Sequence, residues 1–423
     1  MIFKFALRNI FRHKARSLIT LSTIIFGCIA LIFVDGFFDD TLHQMRDGYI
    51  NAQTGHLQVY KSGFNRYGRI DPDKYYIDNY KEVMRAIGQI PEVESITPRV
   101  QFSGIISTGE NSIAFFGQGI NPHFEKTIPV EEASDLKKLY DSNGRYAGWA
   151  MIDSGKGLDD RDQYSAILGR GLASTMDVKP GATVTLLTNT VNGSTNALDM
   201  KVKGTFYTFS KDFDDYFLRI PFTTAQKLLD TEAAQSLVIQ LHNTEDTDTV
   251  KERLLEMFKA KHWGLEIKTW EELNDYYNKT VTLFGKFDFI MRVVISIVVM
   301  LGIFNTMNMA VLERTSEIGT LMAMGNRRST VLKLFLAEGM LLGFTGGFLG
   351  IIIGSIVVRG IASIGILMPP PPSATMYWLS HPSIVPGVLT FSFFLSGIMG
   401  GISSLYPAYK ASRLVIIQAL RYR

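Results

Sequence analysis

Apolar residues in this chain gather into four long runs with uneven spacing. Residues 18–34, 293–312 and 339–358 carry no charged side chain, and residues 360–409 carry none apart from His381. A helix rises 1.5 Å per residue, so roughly 20 apolar residues cross the hydrocarbon core of a bilayer. The pattern predicts one span near the start, at residues 17–37, and three more at 292–312, 333–358 and 384–408. Residues 38–291 are more polar and predict a water-facing domain. Alternation and turn residues there predict a helical extension of the first span over 35–52, a strand near 55–60, a helix near 79–90, and strands near 93–100, 103–107 and 112–117. A β-rich stretch over 122–235 includes the strand-like runs 166–168, 183–187 and 200–209. A strand at 236–241, a helix at 246–261, a strand at 265–268 and a long helix from Thr269 into the second span complete it. Two β-α-β pieces, in 38–121 and 236–291, thus flank a β-rich insertion. The fold class expected is membrane α-helical, with four transmembrane helices in a 1+3 arrangement and a large extracytoplasmic α+β domain.

Composition agrees with this division. A mean hydropathy of +0.11 is too polar for a chain lying wholly in lipid. The net charge of +3 conceals a split, because 36 of the 40 acidic residues lie within 36–292. Basic residues sit beside the spans: Lys4, Arg8, Arg12, Lys14 and Arg16 before the first, Arg314, Arg327, Arg328 and Lys333 between the second and third, and Lys410, Arg413, Arg421 and Arg423 after the fourth. With four alternating spans all three groups fall on one side, which the positive-inside rule makes the cytoplasm. Residues 313–332 and the tail 409–423 are then cytoplasmic, and the loop 359–383 faces out with the large domain. Basic residues placed this way form no nucleic-acid footprint.

The start, residues 1–16, reads either as an amphipathic helix in the inner headgroup layer or as a basic flank that sets topology. The single cysteine, Cys28, lies inside the first span, so the outer domain has no disulfide. Residues 25–28 resemble a lipoprotein cleavage site, but bulky Phe26 and the apolar run continuing to Val34 favour an uncleaved anchor.

Between the second and third spans, Glu313, Arg314 and Glu317 alternate with an apolar face of Ile318, Leu321 and Met322, and Gly325 stops the pattern. The residues alone leave two readings level: a cytoplasmic docking helix, or a loop with a solvated charge cluster. In the third span Gly339, Gly343 and Gly347, and again Gly346, Gly350 and Gly354, recur every four residues. Such spacing lets helices approach closely, within one subunit or across a dimer seam. Asp35, Asp39 and Asp40 past the first span read as a solvated helix turn ahead of a vestibule lining. The clusters Asp159, Asp160, Asp162 and Asp212, Asp214, Asp215 lack calcium-loop spacing and read as loop tips. No zinc pairing of histidines and no G-x-S-x-G occurs, and the 423 residues contain no G-x-x-x-x-G-K-[ST] phosphate loop. No metal or cofactor is expected on this chain. The prolines Pro369–Pro372 read as a stiff segment at the outer interface, or more sharply as a lip that contacts substrate.

The run from Glu313 to Gly350, ERTSEIGTLMAMGNRRSTVLKLFLAEGMLLGFTGGFLG, resembles the signature of the FtsX-type permeases of the type VII ABC superfamily, which include the MacB efflux and Lol lipoprotein-releasing permeases. Ala6-Leu7-Arg8-Asn9-Ile10, Ile167-Leu168-Gly169-Arg170-Gly171 and Tyr406-Pro407-Ala408-Tyr409-Lys410 fit the same family, although Val415 and Ile416 replace its usual Asp-Pro. The resemblance implies a non-catalytic permease subunit that dimerises with a second copy or a paralogue. It implies a partner ATPase that binds ATP and Mg and docks on residues 313–325, in a bacterial inner membrane, with both termini cytoplasmic. It further implies mechanotransmission, in which ATP-driven closure moves the outer domains with no substrate path through the membrane. Gly55-His56-Leu57-Gln58-Val59-Tyr60 resembles the first strand of Lol-like permeases, which favours lipoprotein or lipid release with a periplasmic carrier or outer-membrane partner over drug or peptide efflux. Regulation of a cell-wall hydrolase, as by cell-division FtsX, is the rival, though that family's outer domain is much smaller.

Overall fold

The computed structural model describes residues 14–68, 70–124, 127–128, 150–208, 210–369, 377–415 and 419. Most of the expected amphipathic start, Pro370–Pro372 and nearly all of the last eight residues lie outside these. Contacts divide the chain into a unit of Met1–Leu42, Thr280–Ile366 and Ser380–Arg423 and a unit of His43–Lys279 and Leu367–Leu379.

Helix α1 (Lys14–Tyr49) passes through a π-turn (Ile50–Thr54) to strand β1 (Leu57–Lys61). Helix α2 (Tyr80–Ile87), β2 (Val93–Ser107), β3 (Ser112–Ile120), the two-residue β4 (Thr127–Ile128), β5 (Ala150–Gly155) and β6 (Ser165–Gly169) follow. Then come α3 (Arg170–Thr175), β7 (Thr183–Asn189), β8 (Thr195–Tyr207), α4 (Lys211–Tyr216), β9 (Phe217–Pro221) and α5 (Phe222–Leu229). The outer unit continues through β10 (Ser236–Leu241), α6 (Thr247–Ala260) and β11 (Leu265–Thr269).

Among the described residues these strands run in the order β11-β1-β10-β2-β3-β9-β6-β8-β5-β4, with β7 pairing β2 and β8. The first four are mutually antiparallel. They come from two β-α-β pieces whose strands interleave, which is the split βαβ arrangement. Every residue of β10 is buried, as a strand covered on both faces requires. Helix α2 buries Tyr80, Val83 and Ile87, and α6 buries Val250, Leu254 and Phe258, one stripe each at helical spacing. These residues share a core with Leu57, Val59, Leu237 and Ile239 of the sheet.

Three local expectations are corrected and one is borne out. Strands expected at 93–100 and 103–107 are one strand, β2, because no turn residue separates them; its first half pairs β10 and its second half pairs β3 and β7. Pro98 is accommodated because the ladder with β3 starts only at Val100, leaving one neighbour there. Strand β8 starts at Thr195, not at 200, because residues 195–199 extend the ladder with β7 while staying exposed or half-buried, without the buried alternation that marks the rest of the strand. The helical extension expected over 35–52 is present: α1 passes at Tyr49 into the π-turn that ends at Thr54, where buried Arg219 and Arg99 donate to the carbonyls of Ala52 (2.5 Å) and Gln53. Finally, the long helix does not begin at Thr269. There Thr269 Oγ1 accepts from Glu272 N, and Glu272 Oε2 accepts from Thr269 N, closing a single reciprocal cap. Asn274 Oδ1 then accepts from Tyr277 N at 3.0 Å and opens the helix proper.

That helix is α7 (Asp275–Glu313), and α8 (Thr315–Ala323), α9 (Arg328–Ile364), the short strands β12 (Ile366–Met368) and β13 (Trp378–Ser380), and α10 (Pro386–Ser412) complete the chain. Among the described residues four helices are long and apolar enough to cross a membrane: Ser17–Thr54, Asp275–Glu313, Arg328–Ile364 and Pro386–Ser412. Lipid supplies no hydrophobic drive for helices to associate, so close packing and interhelical hydrogen bonds carry the bundle. Thr20 Oγ1 donates to Thr306 Oγ1 at 2.8 Å between α1 and α7. The bundle core joins Ile24, Ile303, Met307, Phe335, Leu342 and Ala408.

Candidate coupling site

The chain leaves α7 at Arg314, whose φ of −105° and ψ of 17° break the helix, so Glu313 ends α7 and residues 313–325 are not one helix as expected. Helix α8 closes on Gly325, at φ +89°. Asn326 N donates to Leu321 O at 3.2 Å and Gly325 N to Met322 O at 3.1 Å, the pair of bonds that defines a Schellman cap.

One side of α8 is inside the bundle. Thr315, Ile318, Gly319 and Met322 are buried, and Ile318 and Met322 pack in the membrane-helix core. Ser316, Thr320, Ala323 and Met324 are exposed, while Glu317 and Leu321 are half-buried. The expected apolar face therefore loses Leu321 to its rim.

The expected charge cluster is not simply solvated, for Arg314 is buried. Its Nη1 donates to Glu338 Oε2 at 3.1 Å and Oε1 at 3.4 Å, and its Nε to Glu317 Oε2 at 3.3 Å. The guanidinium carbon lies 5.6 Å from the centre of the Phe335 ring. Glu338 and Phe335 were not singled out by sequence. The signal was available: Glu338 is the last carboxylate of the chain and sits well inside an apolar helix, where ionisable groups are costly and need a partner.

The glycines of α9 form two seams within this one chain. Side chains added at Gly339, Gly343 or Gly347 would meet Ser404, Ser396 and the Gly400 carbonyl of α10. Added at Gly346, Gly350 or Gly354, they would meet Ile24, Cys28 and Ile32 of α1. Both stripes are thus occupied, and a second copy would have to use other faces.

The carboxylates after the first span do not form a solvated turn. Asp35 and Asp39 are four residues apart on one helical face. Asp35 Oδ1 accepts from Arg292 Nη2 at 2.5 Å, and Arg292 also pairs with Asp288 at 2.8 Å and lies 4.8 Å from the Phe391 ring centre. Asp39 accepts from Ser383 Oγ, and Asp40 from Ser380 Oγ and the His381 amide, so these two hold the segment that leads into α10. In the outer unit, Asp159 and Asp162 grip Lys203 at 2.9 and 2.5 Å. The Lys203 hydrogen bond holds the Asp159 carboxyl below its usual range. Asp214 is no loop tip but buried, accepting from the Thr208 amide and hydroxyl. Among the described residues no group of three or more His, Cys, Asp or Glu is placed to hold a metal.

Residues 17–257 match the MacB-like periplasmic core domain, and residues 289–416 match the FtsX-like permease C-terminal domain. This chain belongs to the MacB/FtsX-type ABC transporter permeases. The permease is 25% identical to an uncharacterized ABC transporter permease of Methanocaldococcus jannaschii, over 99% of this chain and 97% of that one. It is 24% identical to the macrolide export ATP-binding/permease protein MacB of a Shewanella species, over 99% of this chain but only 60% of that relative. The solved periplasmic region of MacB from Actinobacillus actinomycetemcomitans aligns at 14% identity and a TM-score of 0.37, over 55% of the permease and 95% of that chain. The permease is thus a membrane component of an ABC transporter, with α8 lying between two helices of its FtsX-like part.

Proposed function

We propose that the permease works by mechanotransmission: an ATPase subunit hydrolyses ATP in the cytoplasm, and the stroke passes through α8 to the membrane helices and the outer domain. The observation that carries this reading is the two-sidedness of α8. Ile318 and Met322 anchor it in the bundle, while Ser316, Thr320, Ala323 and Met324 leave a face for another protein. The packing of α9 glycines directly against α1 and α10 supports a bundle that moves as packed struts rather than as a channel wall.

In this reading both termini and α8 are cytoplasmic, the large domain lies outside a bacterial inner membrane, and the permease pairs with a second copy or paralogue. The second span supports such pairing, since its apolar stretch is the least buried of the four, with Val294, Ile297, Val298 and Leu301 exposed. The substrate class is amphipathic: lipoprotein or lipid released from the outer leaflet, in cooperation with a periplasmic carrier or outer-membrane partner. A second reading, export of drugs or peptides, is favoured by the relatives named as macrolide exporters.

Ala323→Arg tests the core of the proposal. It adds bulk and charge to the exposed side of α8 without touching the buried one. The variant should insert and unfold like the parent yet lose the ATPase that co-purifies from native membranes. Undiminished ATPase retention and turnover would sink the docking assignment. Lipids, lipoproteins or small molecules co-purified with the parent would decide between the two substrate readings.

A further inference from the structure

A buried ion pair is a poor way to gain stability, because apolar residues of similar volume often serve as well or better. The pair of Arg314 and Glu338 is nonetheless placed at 9% and 6% exposure beside an apolar cluster. Its geometry points to another purpose. Helix α8 is only nine residues long and lies between two non-helical joints, Arg314 on one side and Gly325, at φ +89°, on the other. A short helix between two such joints can pivot, and apolar contacts at Ile318 and Met322 hold it without fixing direction. The Arg314 guanidinium adds direction. Its Nη1 reaches both carboxylate oxygens of Glu338 on α9, its Nε reaches Glu317 on α8, and its guanidinium carbon lies over the Phe335 ring of α9. A planar, multi-donor group held this way fixes orientation as well as distance.

We propose that Arg314 and Glu338 are positioning residues that lock the angle of α8 against α9, so that a push received on α8 is delivered to the third span and not lost by rotation at the two joints. The inference rests on the reading of α8 as the docking element. The lock ties α8 to α9 through side chains where the turn at Gly325 leaves no continuous helix between them.

The test uses the full-length permease with its co-purified ATPase in nanodiscs, spin-labelled at cysteines replacing Thr320 on α8 and Ile356 on α9. Three proteins are compared in a Cys28→Ser background: the parent, the apolar pair R314M/E338M, and the charge swap R314E/E338R, the last with Glu317→Gln so that the carboxylate moved to position 314 meets no second one there. The apolar pair should unfold no earlier than the parent, because neither member of the buried pair is left charged and Glu317, which loses its Arg314 contact, keeps a side chain 41% exposed to solvent. It should nevertheless broaden the label distance distribution and lose most of the ATP-dependent shift in that distance. The charge swap should narrow the distribution again and recover the shift, and it also serves if the apolar pair fails to insert. An apolar pair as narrow and as ATP-responsive as the parent would overturn the positioning role, as would a well-inserted charge swap that stays broad. Failure of the docking reading looks different: Ala323→Arg would then keep its ATPase, whatever the label distances show.

Discussion

Glycine does three different jobs along α8 and α9, and alanine at each should change stability in a different way. At Gly325 the backbone is left-handed, and any side chain there strains the Schellman cap by about 1 kcal/mol. Gly343 is helical, but a Cβ would lie 2.3 Å from the Ser396 carbonyl oxygen and 3.0 Å from the Gly397 Cα. Backbone cannot yield as a flexible side chain can, so Gly343→Ala should separate α9 from α10 at a cost of about 1–3 kcal/mol. Gly360, also helical, has nothing within 4 Å of its would-be Cβ. Gly360→Ala should therefore stabilise α9 slightly, by up to about 1 kcal/mol of helix propensity. Thermal unfolding of the three variants in one detergent should rank Gly343→Ala least stable, Gly325→Ala next and Gly360→Ala at or above the parent. Equal effects at Gly343 and Gly360 would mean that the α9–α10 seam is not packed as described.

Among the elements, the link from β11 to α7 has a charge-dependent hinge. Glu272 closes the cap on Thr269 and pairs with Lys251 of α6 at 2.8 Å. Its burial works to raise the carboxyl, but the Lys251 hydrogen bond, the charges of Lys251 and Lys268, and the Thr269 amide outweigh it and hold it below the usual value of 4.5. A depressed carboxyl favours the folded state above pH 4.5, and that contribution fades as pH falls through the lower, folded value. With the side chain 40% exposed, solvent screening limits the effect to about 0.5 kcal/mol. Glu272→Gln should thus lower the unfolding temperature slightly at neutral pH, and the difference should vanish in acid. A difference that persisted below the folded value would show that the cap, not the ion pair, depends on Glu272. This hinge also shows where reading from sequence stops. The spans are legible because crossing a bilayer requires long apolar runs, and β10 and α6 because their patterns are strong. Thr269 with Glu272 looks like the start of a long helix, and only three-dimensional contacts reveal that Asn274 restarts it. Likewise, α8 carries its periodicity openly, but the pairing of Arg314 with Glu338 depends on the turn between them. The largely exposed start of β8 and the break of the chain at Arg314 leave no hydrophobic pattern to read.

For the molecule as a whole, charge decides which way it sits in the membrane. The acidic residues lie almost entirely in 36–292, and three basic groups flank the spans at residues 4–16, 314–333 and 410–423. Four spans put all three groups on one side, whereas three or five would divide them. In the proposed mechanism this arrangement would let α8 meet a cytoplasmic ATPase while the other unit meets substrate, so that mechanism fails if the orientation is wrong. Two positions test it without disturbing the fold. Ser194 lies in the exposed turn between β7 and β8, and Ser329 is exposed at the start of α9. The native Cys28 is buried at 3% exposure and gives little background. In intact cells or spheroplasts, an impermeant thiol reagent should label Ser194→Cys and spare Ser329→Cys, and lysis should make both react. Labelling of Ser329→Cys from outside would place α8 on the wrong side for an ATPase. It would leave the packing of the bundle intact but remove the source of force on which the proposed stroke depends.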